Sequence, residues 1–100
     1  MTDAEINLAI ARIVYPKCSL RALRNQRIEV TFPASGNIRK VDYCGNWSDI
    51  GHIIEREKID LKALSDGWSA GGYDLGFSAR ADTPTKAVAL CYLRMKGIEV

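Results

Sequence analysis

Three helix-start signals divide this chain, and they constrain its fold more than any other feature. Thr2 followed by Glu5 is a capping box, in which a hydroxyl and a carboxylate satisfy N–H groups that a helix start leaves unpaired. In mid-chain, Asn46 can cap a second helix, with Asp49 in its first turn to favour the dipole. Near the end Asp82 or Thr83 precedes Pro84, and proline at the first helical position loses no hydrogen bond. Apolar residues at helical spacing follow each signal. They are Ile6, Ala9, Ile10, Ile13 and Val14, then Trp47, Ile50, Ile53 and Ile54, then Ala87, Val88, Leu90, Cys91 and Met95. Pro16 ends the first helix near Tyr15, and Gly97 is a natural stop for the last.

The intervals between these helices read as strands. Residues 17–27 are basic and irregular. Ile28, Val30 and Phe32 alternate with Glu29 and Thr31, and Pro33 to Asn37 has turn chemistry, so 28–44 predicts an antiparallel hairpin. Ser65-Asp66-Gly67 is a further turn. Trp68 and Ala70 start a third strand, and 75–81 forms a fourth, joined around Gly71-Gly72. The expected architecture is therefore one α+β domain over 1–100: a four-stranded antiparallel sheet with three helices, in the order α-β-β-α-β-β-α. Three helices suffice to cover one face of such a sheet, or to layer it as an α/β/α sandwich.

At 100 residues, 47% apolar and 26% charged, the chain has the size and mix of one ordinary globular domain. No apolar run approaches the roughly 20 residues that span a bilayer. The acidic start, Met-Thr-Asp-Ala-Glu, is unlike a secretory signal, so a cytoplasmic setting is expected. Cys18, Cys44 and Cys91 are odd in number and widely spaced, which predicts reduced thiols and neither a disulfide framework nor a metal site. No cofactor is implied, since the glycines at 67, 71, 72 and 76 lack the spacing of a phosphate loop.

Two stretches carry a resemblance. One is Val41-Asp42-Tyr43-Cys44-Gly45-Asn46-Trp47-Ser48-Asp49 with Ile53-Ile54 and Ile59-Asp60-Leu61. The other is Asp66-Gly67-Trp68-Ser69-Ala70 with Thr83-Pro84-Thr85-Lys86-Ala87-Val88-Ala89. Over roughly 3–97 the chain resembles small phage and prophage proteins of unknown function, the NinX-like proteins and the phage ABA-sandwich group. The resemblance implies a bacteriophage origin and the cytoplasm of a bacterial host. It carries over no catalytic residues.

Candidate sites are few. His52 has Asp49 and Ser48 one turn before it and Arg56 one turn after, yet no nucleophile is implied, so catalysis is not expected. Asp49 reads as a helix-start charge. Trp47 and Trp68 read first as core residues, and otherwise as a groove with Tyr43 and Tyr73 suited to stacking a base or a partner side chain. Arg12, Lys17, Arg21, Arg24 and Arg27 form a basic segment with no acidic residue between Asn7 and Ile28. A solvated loop explains it best, and five cations would support at most weak, sequence-independent nucleic-acid contact. The expected function is that of a non-catalytic binding protein acting on a host or phage protein, with no membrane. The alternative is a nucleic-acid or nucleotide binder using residues 12–27 and the aromatics. A homo-oligomer stays open.

Overall fold

The structure, a computed structural model, describes residues 1–72 and 76–99. All three helix starts form where the sequence places them. The Thr2 hydroxyl accepts the Glu5 N–H at 3.1 Å, and Glu5 Oε1 accepts the Thr2 N–H at 2.9 Å, opening α1 (Asp3–Val14). Asn46 Oδ1 accepts the Ser48 N–H at 2.8 Å ahead of α2 (Trp47–Glu57). Thr83 Oγ1 accepts the Lys86 N–H at 3.3 Å ahead of α3 (Pro84–Met95). Gly97, at φ +79°, takes the left-handed conformation that ends α3.

Two three-stranded antiparallel sheets replace the expected single sheet of four. The first has the order β1 (Ser19–Ala22), β2 (Ile28–Thr31), β3 (Ile38–Val41). The second has the order β4 (Asp60–Leu64), β5 (Gly67–Gly71), β6 (Ser78–Ala81). β1 falls inside the basic segment that read as irregular, and β4 in residues for which no strand was expected. Position 75, the expected start of the fourth strand, lies outside the described residues. The sheets stay separate because α2 carries the chain away from β3. The next strand then finds its partner across the tight Leu64–Gly67 turn, in register from Asp60↔Gly71 to Leu64↔Gly67.

Register decides which residues each sheet buries. In the first sheet Ile28, Val30 and Val41 share the buried face that packs under α1. The alternate row, Arg21, Glu29 and Lys40, lies on the opposite face, where Arg21 and Lys40 are exposed. In the second sheet Leu61, Ala70 and Ala79 form the row beneath α3, and Lys62, Ser69 and Arg80 form the outer row. Among the described residues helices cover one face of each sheet, so they do not sandwich a sheet in α/β/α layers. α3 joins the parts, packing on β5 and β6 while also touching α1 and α2.

The Trp47 side chain is 54% exposed, which corrects its placement on the apolar face of α2. As the first helical residue it sits beside the cap, and Ile50 and Ile53 do the burying.

The turn between β3 and α2 is tied to every helix. Asn7 of α1 is fully buried. Its Nδ2 donates to the Gln26 carbonyl and to Asp42 Oδ1, each at 2.9 Å, and its Oδ1 accepts the Cys44 N–H at 3.0 Å. Asp49 Oδ2 of α2 accepts the Asp42 N–H at 2.9 Å. Thr85 Oγ1 of α3 donates to the Cys44 carbonyl at 2.5 Å. Gly45 passes so close that a Cβ there would lie 2.7 Å from Asp42 Oδ2.

Asn7→Ala should therefore cost about 3 kcal/mol, because it leaves the Cys44 N–H and the Gln26 carbonyl without partners. Gly45→Ala should cost less, about 1–2 kcal/mol, by displacing Asp42 from its partners. Urea unfolding of the two variants beside the parent chain measures both, and a loss under 1 kcal/mol for Asn7→Ala would contradict this account.

Candidate functional site

The β3–α2 turn brings basic side chains together at its open side. Arg39 comes from the edge strand β3, and His52 and Arg56 come from successive turns of α2. With Tyr15 at the end of α1, and with Tyr43 and Asp49, they line a cleft of about 310 Å³. Val14, Val41 and Ile53 complete its wall.

Asp49 is 9% exposed and fixes the arrangement. One carboxylate oxygen holds the Asp42 N–H, while the other lies 3.7 Å from Arg39 Nη2. Arg56 donates from Nε to Glu57 at 3.2 Å and from Nη2 to the Tyr92 hydroxyl at 3.4 Å. Glu57 is shared with Lys96 at 3.4 Å. A guanidinium carries five N–H donors, so both arginines, each about half exposed, retain donors for a ligand. Among the described residues His52 makes no hydrogen bond or ion pair and stands exposed at the mouth.

The residues singled out by sequence do not gather into one site. Tyr43 and Asp49 line this cleft. Trp47 is exposed at the start of α2, and Trp68 is half-buried on β5 against the core. Tyr73 lies outside the described residues. Arg21 pairs with Glu29 at 2.5 Å on the outer face of the first sheet, and Arg24 and Arg27 flank a 3₁₀ turn at Arg24–Gln26. Sequence reasoning passed over Arg39 and Arg56 as cleft residues. The available signal was the run Asp49, His52, Arg56, one helical turn apart on a single face. Arg39 gave none, because its meeting with that face depends on the turn geometry.

A larger, shallower depression of about 640 Å³ lies between Met1, Phe77, Arg94 and Ile98. Arg94, which donates to the Ser78 carbonyl, shares the depression with Glu99 rather than with a second basic side chain among the described lining residues, so no pair of cations converges there. Among the described residues no group of three His, Cys, Asp or Glu side chains is placed to hold a metal ion. No helix among them is long and apolar enough to cross a membrane.

Three buried groups, of which Tyr43 lines the cleft, are held neutral. Burial pushes the Cys44 thiol up to about 12 and raises the Tyr43 phenol, and burial also raises the Cys91 thiol. Folding favours the protonated form of each. Their stabilisation is complete below the ordinary thiol value of 9.0 and is lost as pH climbs toward about 12. Urea midpoints should hold level from pH 7 to 9 and fall between pH 9 and 11, with the fall reduced in Cys44→Ala. At neutral pH an alkylating reagent should label Cys18, which is half-buried, long before Cys44 or Cys91.

Asp49→Ala should cost about 2 kcal/mol, since the Asp42 N–H loses its acceptor. Asp49→Asn keeps an oxygen there and should cost about 1 kcal/mol through lost charge. Equal losses in the two variants, measured by urea unfolding, would show that the backbone bond contributes little.

Compared with models of protein families, with curated protein sequences and with solved structures, the chain matches none.

Proposed function

We propose that this chain is a non-catalytic binding protein that takes an acidic side chain of a protein partner into the Arg39–His52–Arg56 cleft. One observation carries the reading. Two guanidinium groups and an imidazole, from two separate elements, face a cleft whose own carboxylate is already bonded to backbone. Planar forked donors match a carboxylate in a bidentate manner. A terminal phosphate carries nearly two negative charges and scales the attraction of the arginines and the repulsion of Asp49 alike, so charge does not separate it from a carboxylate. The protein partner is favoured instead by the β3 edge beside the cleft, whose peptide groups an extended acidic segment can pair and a nucleotide cannot.

A catalytic role has little support. The Tyr43 phenol that lines the cleft is held protonated, and among the described residues His52 has no carboxylate to orient it. The resemblance to NinX-like and phage ABA-sandwich proteins supports an accessory role in an infected bacterium, in its cytoplasm, on a host or phage protein. The competing reading, a nucleic-acid binder, rests on Arg12, Lys17, Arg24 and Arg27, which have no ion pair among the described residues. These cations are spread over a helix, a turn and a 3₁₀ segment, with no groove joining them to the cleft.

Fluorescence anisotropy with a labelled Glu-containing peptide, its Gln counterpart, nucleotides and unrelated DNA separates the two. The Glu peptide should bind and the Gln peptide should not. Arg39→Gln and Arg56→Gln should each weaken binding by about tenfold, the loss of one charge-assisted hydrogen bond. Tight DNA binding that persists at about 200 mM salt would overturn the reading, because these four cations cannot sustain it. So would peptide binding that is indifferent to both arginine changes.

A further inference from the structure

The cleft opens beside an unpaired sheet edge, and the edge has a chemistry of its own. β3 is the last strand of its sheet, hydrogen-bonded to β2 on one side only. Ile38, Arg39 and Lys40 are exposed along it, and among the described elements β2 makes the main packing contact with it. An edge strand offers alternate N–H and C=O groups to any extended chain that can lie beside it. We propose that the partner's acidic segment docks as an added strand on β3, with one acidic side chain entering the cleft. This rests on the cleft reading and adds the backbone conformation and sequence pattern of what binds.

Charge selects the occupant. A second copy of β3 would set Arg39 and Lys40 against their own kind, and like charges directly opposite one another are unfavourable. Lysine at an edge normally discourages self-association for this reason. An acidic strand meets the same two residues with opposite sign. Nucleic acid can satisfy the charges but not the ladder of peptide groups.

Register gives the pattern. Arg39 and Val41 lie on the face of the sheet that looks into the cleft, and Ile38 and Lys40 lie on the outer face beside Arg21 and Glu29. Successive side chains of an added strand alternate between those two faces. The residue opposite Arg39 therefore enters the cleft and should be acidic. The residue opposite Lys40 lies on the outer face and should also be acidic. Those opposite Ile38, which is 58% exposed, and Val41 should be apolar. The pattern is apolar-acidic-acidic-apolar, which reads the same in both strand directions.

The test uses the full chain and blocked peptides centred on Val-Glu-Glu-Val. Three further peptides serve as comparisons: a Val-Gln-Gln-Val version and two Val-Glu-Glu-Val versions N-methylated at alternate backbone positions. Affinity is measured for each, and amide hydrogen exchange is followed residue by residue. Slower exchange at amides within residues 38–41, together with at least tenfold weaker binding of one N-methylated peptide, supports strand addition. If both methylated peptides bind as well as the parent and 38–41 gains no protection, strand addition is overturned while the cleft reading stands. If the Gln peptide binds as tightly as the Glu peptide, the cleft reading fails and this inference falls with it.

Discussion

The Asn7 carboxamide is the contact on which the remaining structure depends. A buried amide must satisfy both its donors and its acceptor, and in Asn7 all are engaged with chain distant in sequence. Through it α1 holds the end of the 3₁₀ segment and the β3–α2 turn together. Asp49 and Thr85 grip that same turn from α2 and α3. A short irregular loop, normally the loosest part of a small domain, thereby becomes the place where all three helices meet. The apolar contacts among Ile6, Ile10, Ile50 and Val88 provide most of the burial, but they do not direct where the chain turns. Hydrogen bonds do, because an unsatisfied buried peptide group is costly whereas a shifted methyl group is tolerated.

A rigid turn has consequences at the surface. Arg39 lies within β3, two residues before that strand ends, and His52 and Arg56 follow on the middle and last turns of α2. Their relative placement is therefore set by the Asn7 and Asp49 bonds rather than by contacts among themselves. Preorganisation of this kind limits the side-chain ordering that binding would otherwise require. The two arginine side chains are half exposed, while Asp49 beside Arg39 is buried.

Local chemistry was legible in the sequence, and long-range pairing was not. Thr2 with Glu5, Asn46, Thr83 with Pro84, and Gly97 each act through bonds spanning two to four residues, so their patterns predict their geometry. β2 was visible because Ile28 and Val30 alternate with polar residues. β1 and β4, in contrast, are edge strands of sequence Ser-Leu-Arg-Ala and Asp-Leu-Lys-Ala-Leu. An edge strand is held mainly by backbone bonds to one neighbour and buries few side chains, so its sequence carries little β signal. Missing those two strands turned two sheets into one. Asn7 carried a signal that went unread: it stands in helical register with Ile10, Ala11 and Val14, where a polar residue needs a buried partner. Arg39 carried none, since nothing in Ile-Arg-Lys-Val shows which face will meet α2.

Asp49 holds two roles that oppose one another. Its carboxylate anchors the turn by accepting the Asp42 N–H, and it also partly neutralises Arg39 across 3.7 Å. A neutral acceptor at this position would leave Arg39 freer for a ligand but would forfeit the charge that stabilises the start of α2. A stronger acid cluster would secure the turn and silence the cleft. A single aspartate, buried on its structural side and reaching a half-exposed arginine on the other, leaves the fold closed and the cleft still net positive. That balance also sets what can bind. A carboxylate gains from Arg39 and Arg56 more than it loses to Asp49, as long as the two guanidinium groups keep donors that Asp49 and Glu57 do not occupy.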